Sequence, residues 1–369
     1  MRVGLLITSI GEFGNKGFYN AQEIGLAKAL DSLVDEVRIY RLVSADMVNC
    51  IETIADCRNS KVQYIPAKKI GTNGMPDLGM LDASLGVLVY FSDTQLALPS
   101  VYRWAVKNEV YLFPYIGVAE SHSTNRTKKI LMDFLFRRNI KVYKKCRCLA
   151  KSPAIGLKLE QQGIKQVTIA PVGLDLSILH DDYERCDSAA LKRKYGYQQD
   201  DRVLLFIGRL TAEKQPMRMV QVFADIAGKD ARYKLLMVGT GEMRDAVIQC
   251  AEERGVSRGV RLIDRVPNCE IWELYRLADT FVNLNQQEIF GMAILEAMYY
   301  GCKVVAWKAP GPDFIIEDGV SGFLADSDGA AIDLILNGKI DSGAAHKRVM
   351  DSFTWDIAAN IIFTQAEQL

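Results

Sequence analysis

Asn285-Gln-Gln-Glu288-Ile-Phe-Gly291-Met-Ala-Ile-Leu-Glu296-Ala-Met-Tyr-Tyr-Gly301 reads as a strand end, a glycine turn and an apolar helix. A strand over 280–285 runs into Glu288, and the periodic run 292–300 predicts a helix whose first turn lies beside Gly291. A helix start leaves amide N–H groups unpaired and carries partial positive charge. With a glycine allowing close backbone approach, it suits a phosphate. Glu288 and Glu296 are eight residues apart, so their carboxylates are expected to line one cleft at different depths. On spacing alone, an ordinary strand-to-helix junction with a solvated glutamate at either end is the favoured reading.

Working outward, the chain alternates apolar runs of strand length with amphipathic runs of helix length. The strands are mostly continuous in hydrophobicity, the signature of a parallel sheet covered on both faces. Strands are expected at 3–8, 36–42, 85–91, 110–116 and 167–171, with helices at 17–30, 95–107, 128–138 and 153–163. A polar segment at 180–201 interrupts the pattern. After it come strands 202–207, 233–238 and 260–263 and helices 215–227, 243–253 and 270–277. Right-handed crossovers make each half a doubly wound sheet whose strand carboxyl ends carry the site. At 369 residues, 49% apolar and 24% charged, two domains are expected, with a ligand cleft between them.

The formal net charge is zero, which argues against a dedicated nucleic-acid binder. Cys50, Cys57, Cys146, Cys148, Cys186, Cys250, Cys269 and Cys302 form no C-x-x-C. That is a reduced pattern, and Cys146 and Cys148 read as buried thiols rather than metal ligands. The opening run 1–8 lacks the length of a spanning helix and a signal-peptide cleavage site, so a cytoplasmic protein is expected. The loop 10–17 has a G-x-x-G-x-x-G spacing only loosely like a dinucleotide fingerprint. No acid at the end of the second strand is placed for an adenosine ribose, so a nicotinamide dehydrogenase is a weak rival.

The second decisive stretch is Leu204-Leu-Phe-Ile-Gly208-Arg209-Leu-Thr-Ala-Glu-Lys214-Gln-Pro216. A strand ends at Gly208, and Arg209 and Lys214 converge on the loop above it. Arginine offers a planar fork and lysine a point charge, a pair suited to a diphosphate leaving group. Two solvated surface cations are the plainer alternative.

With Gly208-Arg209-x4-Lys214 and Glu288-x7-Glu296 both in place, the C-terminal half resembles the retaining glycosyltransferases of family 4, which have the two-domain GT-B fold. Val238-Gly-Thr-Gly-Glu242, Tyr275-Arg-Leu-Ala-Asp279, Asp318-Gly-Val-Ser-Gly-Phe-Leu324 and Pro171-Val-Gly-Leu-Asp175 are similar to further motifs of that family, as is Phe353-Thr-Trp355. The resemblance is dense from about residue 151 to 323 and thin before it. It implies an α/β GT-B architecture, two doubly wound Rossmann-like domains facing a central cleft. The first, 1–178, would bind the acceptor and receive a C-terminal helix, 354–369, that crosses back to it. The second, 179–353, would bind the nucleotide sugar. Lys16-Gly17 stands where the family has paired glycines, and Asp264 stands where a glycine usually passes the nucleobase.

The resemblance also implies roles. Arg209 and Lys214 would bind the diphosphate beside Gly208 and stabilise its departing charge, helped by the amides of Phe290, Gly291 and Met292. Glu296 would take the ribose hydroxyls and Glu288 the donor sugar. His122 is the candidate at the sugar's primary hydroxyl. No metal is required, since Asp326-Ser-Asp328 comes too late for a metal-binding D-x-D and reads as a loop or helix cap. The expected reaction moves a hexosyl group from a nucleotide sugar, a UDP-sugar ahead of a GDP-sugar, to a glycan or lipid-linked acceptor. The setting would be polysaccharide, lipopolysaccharide or glycolipid assembly. A sugar-nucleotide epimerase of GT-B-like fold, recruiting Glu120 and His122, is the main alternative. A dehydrogenase and a non-catalytic nucleotide-sugar-binding protein stand behind it.

Residues 125–147 hold nine basic residues and one acid. Ile130, Leu131, Phe134 and Leu135 share a helical face bordered by Lys128, Lys129, Arg137 and Arg138, the pattern of a helix that lies on an anionic bilayer. A helix packed on the first sheet would need the same apolar residues.

Overall fold

The computed structural model of the chain describes residues 1–8, 21–44, 50–70, 73–91, 96–119, 126–180 and 187–369. The glycine loop at 10–17, Glu120, His122 and Cys186 lie outside them. The chain divides into two compact units, Met1–Asp175 with Thr354–Leu369, and Leu176–Phe353.

The first unit runs β1 (Arg2–Ile7), α1 (Gln22–Leu30), β2 (Glu36–Ser44), β3 (Cys50–Thr53), β4 (Ser60–Ile70), β5 (Asn73–Pro76), β6 (Val87–Phe91), α2 (Leu98–Lys107), β7 (Tyr111–Ile116), α3 (Arg126–Tyr143), β8 (Cys148–Ala150), α4 (Pro153–Gln161) and β9 (Val167–Ile169). Among the described residues its sheet has the order β3-β4-β2-β1-β6-β7-β8-β9, with β5 pairing β4. Pairing is parallel from β4 to β9, whereas β3 and β5 run antiparallel to β4. The central strands are hydrophobic throughout because both faces are covered; all five residues of β6 are buried.

The segment 50–76 was not expected to be sheet. Strand β3 is wholly exposed and the last three residues of β4 are exposed, so polar residues such as Glu52, Lys68 and Lys69 are tolerated there and mask the apolar signal. Cys146 and Cys148 are both buried, but only Cys148 lies on a strand. Burial pushes the Cys146 thiol up to about 12.

The second unit runs α5 (Ser188–Lys194), β10 (Arg202–Ile207), α6 (Pro216–Ala227), β11 (Tyr233–Val238), α7 (Arg244–Glu253), β12 (Val260–Ile263), α8 (Ile271–Leu277), β13 (Thr280–Asn283), α9 (Met292–Tyr299), β14 (Lys303–Trp307), α10 (Pro312–Ile315), β15 (Phe323–Ala325), α11 (Asp328–Asn337) and α12 (Ser342–Ser352). Its sheet, β12-β11-β10-β13-β14-β15, is parallel throughout. The order reverses between β10 and β13, the crevice where such sheets bind ligands. The Asp326-Ser-Asp328 stretch caps α11: the Ser327 hydroxyl accepts from the Ala330 amide.

The last helix, α13 (Trp355–Glu367), belongs to the first unit. Its Trp355 indole packs so closely on α1 that a Cβ at Gly25 would lie 2.2 Å from the ring. No helix among the described residues is long and apolar enough to cross a membrane.

Candidate active site

The site is built from loops at the carboxyl ends of β10, β11 and β13. The loops after β10 and β11 are joined backbone to backbone. The Gly208 amide donates to Val238 O at 3.0 Å, the Leu210 amide to Thr240 O at 2.9 Å, and the Met243 amide to Leu210 O at 3.0 Å. Gly239 has φ +151, and a Cβ there would lie 1.8 Å from Gly208 O. Only glycine permits that approach.

Lys214 ends a single 3-10 turn, Ala212–Lys214, that Gln215 closes in the left-handed region before Pro216 opens α6. The turn aims the ammonium at Glu288: Lys214 Nζ donates to Glu288 Oε2 at 2.8 Å. Two amides hold the same oxygen, Asn283 Nδ2 and Asn285 Nδ2, each at 3.2 Å. Their own oxygens accept backbone N–H groups two residues on, Asn283 from Asn285 at 3.0 Å and Asn285 from Gln287 at 2.9 Å, so the amide nitrogens are left to face the carboxylate. Burial raises the Glu288 carboxyl, but the Lys214 charge and the three donated bonds outweigh it and hold the group below its usual range. The glutamate is therefore ionised at neutral pH. Arg209 differs: its side chain is 61% exposed and lies 3.5 Å from Glu213, leaving the guanidinium at the open rim of the loop.

Gly291 precedes α9 with φ +108, and a Cβ there would meet Ile294 Cδ1 at 2.9 Å. The left-handed residue turns the chain so that the first amides of α9, at Met292 and Ala293, have no intrahelical acceptor. Phe290 anchors the turn between the rings of Phe314 and Phe353, at 6.5 and 6.3 Å. The Gly311 amide donates to Glu288 O at 2.8 Å. The loop between the two acids is thus fixed by α10 as well as by α9.

Glu296 sits in the second turn of α9 and accepts a 2.8 Å hydrogen bond from the buried Tyr275 hydroxyl of α8. Part of its side chain is accessible. Even so, burial pushes its carboxyl up to about 7, with the Tyr275 bond pulling the other way. One glutamate is held in the charged form and the other is poised near neutrality, so the two carboxylates differ in chemistry.

Gly208, Arg209, Lys214, Glu288, Phe290, Gly291, Met292 and Glu296 all lie in the second unit, on the loops just described or on the helix they open. Asp264, after β12, is exposed and pairs with Arg244 Nε at 3.1 Å. Reasoning from sequence missed Asn283, Asn285 and Tyr275 as supports of the two glutamates. The alternation Asn283-x-Asn285 before Glu288 was the available signal, because alternate residues at a strand end point the same way.

The chain is similar to known proteins in fold and in sequence. Solved structures similar over the whole chain include HepE from Anabaena in complex with UDP-glucose, at 17% identity and TM-score 0.72 over 100% of both chains. Another is sucrose-phosphate synthase from Thermosynechococcus elongatus, at 15% identity and TM-score 0.76, over 100% of this chain and 98% of that one. The fold is GT-B. In sequence, the chain is 32% identical over 171 residues to D-inositol 3-phosphate glycosyltransferase of Thermobispora bispora, covering 44% of this chain and 39% of that protein. It is 28% identical over 144 residues to N-acetyl-alpha-D-glucosaminyl L-malate synthase of Bacillus anthracis, covering 39% and 37%. The match spans about two-fifths of the length of these curated relatives. Residues 187–342 match the model of the family described as glycosyl transferases group 1, and that segment contains Gly208, Arg209, Lys214, Glu288 and Glu296 together.

Proposed function

We propose that the protein is a retaining, nucleotide-sugar-dependent glycosyltransferase that moves a hexosyl group to a glycan or lipid-linked acceptor in polysaccharide, lipopolysaccharide or glycolipid assembly. The observation that carries the reading is the half-buried Lys214–Glu288 pair, held by two asparagines in the loop that leads to the N-terminus of α9. Lys214, Arg209 and the amides at Gly291 and Met292 supply fixed positive charge where a diphosphate would depart, without a metal. Glu288, kept ionised, accepts hydroxyls of the donor sugar and favours positive charge at its anomeric carbon. The anomeric C–O bond to the diphosphate breaks while the bond to the acceptor oxygen forms on the same face. The acceptor's proton passes to the leaving phosphate oxygen, so no side-chain nucleophile is needed. The UDP-glucose complex of the Anabaena protein supports a UDP-sugar as the first donor to test. A role for His122 at the sugar is part of the same proposal.

Thermal shift of the purified protein against UDP-, GDP- and dTDP-sugars tests the reading, and no shift with any of them would overturn it. Glu296 adds a pH signature. In this proposal ribose hydroxyls donate to Glu296, which favours the carboxylate, so nucleotide binding should release a proton. Below the folded value of about 7, affinity for the free nucleoside diphosphate should weaken roughly tenfold per pH unit. Calorimetric titration between pH 5.5 and 8, taken as an approximate range around that value, should show this in the wild type and not in Glu296→Gln. The same raised carboxyl contributes stability that is fully present below the unfolded value near 4.3 and is lost as pH rises towards 7. Glu296→Gln should therefore melt higher than wild type at pH 8 when no nucleotide is present.

A further inference from the structure

Helix α3 carries a face that the fold does not use. Its inward side is Phe136, Asn139, Val142 and Tyr143, all buried against the first sheet and α2. Three further apolar residues are left outside that packing: Ile130 is 62% exposed, Leu131 57% and Phe134 62%. At 3.6 residues per turn these three project from one side of the first turns. Three adjacent large hydrophobic side chains left in water mark an interaction surface, whereas isolated ones do not.

Around them the exposed side chains are cationic. Arg126, Lys129, Arg137, Lys141 and Lys144 are all exposed, and the helix has one acid, Asp133, against six basic residues. Arg138, expected on this border, turns inward instead: its Nη2 donates to Leu96 O at 3.0 Å and its Nε to Asn139 Oδ1 at 3.1 Å. The outer face is thus apolar over its first half and basic over its second, so the helix has one side for the sheet and another side left over.

We infer that the outer face of α3 docks on an anionic lipid bilayer, with Ile130, Leu131 and Phe134 inserted at the headgroup boundary and the surrounding cations on lipid phosphates. Charge decides between occupants. Two copies of so basic a face repel each other, whereas an anionic surface attracts every cation on it within a Debye length. An amphipathic helix with apolar and basic residues on its free side lies in the interface plane rather than spanning the membrane. The surface is independent of the nucleotide reading, because none of its residues belongs to the donor site.

Cosedimentation with phosphatidylglycerol-containing vesicles, against pure phosphatidylcholine vesicles and without nucleotide, tests the inference. Wild type should bind the anionic vesicles at low salt, release at high salt and ignore the neutral ones. Lys129→Gln/Arg137→Gln/Lys141→Gln/Lys144→Gln should weaken binding by up to about 600-fold, since each basic residue near such a surface multiplies affinity about fivefold. Ile130→Ser/Leu131→Ser/Phe134→Ser should weaken it by about tenfold or more, through lost apolar insertion. Both variants change exposed side chains, so unaltered circular dichroism and melting temperature would show that the fold is intact. Wild-type protein that stays in the supernatant at low salt overturns the inference, as do both folded variants sedimenting like wild type. A dimer in light scattering that only the apolar triple variant loses would also overturn it, because a second copy would then cover the face. Thermal shift with nucleotide sugars is unaffected by any of these outcomes.

Discussion

Lys214→Ala is expected to lower the turnover of sugar transfer by about 10²–10³-fold, the usual cost of removing one fixed donor from a site of developing negative charge. A second loss follows from the geometry. Glu288 is only 13% exposed and takes its shortest bond from Lys214, so the variant leaves a buried carboxylate with two amides and no countercharge. Stability should fall by roughly 1–3 kcal/mol. Adding Glu288→Gln to Lys214→Ala should recover much of that stability and none of the transfer. Arg209→Ala gives the cleaner comparison, because an exposed guanidinium beside Glu213 holds nothing else in place. Its melting temperature should be unchanged while transfer falls. Measured together, kcat and thermal melts separate the two residues, and normal transfer by both single variants would remove the diphosphate from this loop.

The second large effect concerns two touching glycines. Gly239→Ala would put a methyl 1.8 Å from Gly208 O on a backbone with φ +151, so the loops after β10 and β11 must separate. A cost of about 3 kcal/mol is expected, lowering the melting temperature by roughly 6–12 °C. Gly208→Ala should behave oppositely. Its Cβ would meet Phe206 Cζ at 3.7 Å and Lys214 Cγ at 3.9 Å, ordinary contacts, so the fold should survive. The added methyl sits beside Lys214, where the diphosphate is proposed to lie, and nucleotide affinity should drop. If Gly239→Ala melts like wild type, the joined-loop architecture is not what holds the site. If Gly208→Ala binds nucleotide normally, phosphate does not approach that backbone.

Much of the second unit was legible in the sequence because buried parallel strands leave continuous apolar runs. Arg202–Ile207, Tyr233–Val238 and Val260–Ile263 have the bounds the runs suggest. The edge strands β3 and β5 and the exposed end of β4 were not legible, since strand residues open to water tolerate lysine and glutamate. The four principal candidates, Arg209, Lys214, Glu288 and Glu296, lie within one unit, but their partners were not legible. Lys214 and Glu288 are 74 residues apart, and no local pattern says that one neutralises the other. Nor does spacing tell Glu288, which accepts from Lys214 and two asparagines, from Glu296, which accepts from the Tyr275 phenol: what raises the second is desolvation, a property of the packed structure. The outer face of α3 was ambiguous for a related reason. Periodicity shows which residues share a side of a helix, but not which side the sheet takes.

The packing of Trp355 on Gly25 has a consequence for the order in which the chain acquires its shape. Half of that contact is made when α1 leaves the ribosome; the other half follows only after the whole of Leu176–Phe353 has been translated. Gly25 and Trp355 are 330 residues apart, so at roughly 5–20 residues per second that interval is on the order of 15–65 s. Throughout it α1 must wait without its cover, while the second unit, contiguous in sequence, has everything it needs to fold. The nascent chain should therefore acquire protease resistance first in its middle, and a stalled chain ending at residue 353 should be cut within the first unit faster than the released protein. Equal resistance of the stalled and released chains would show that α1 is protected without Trp355.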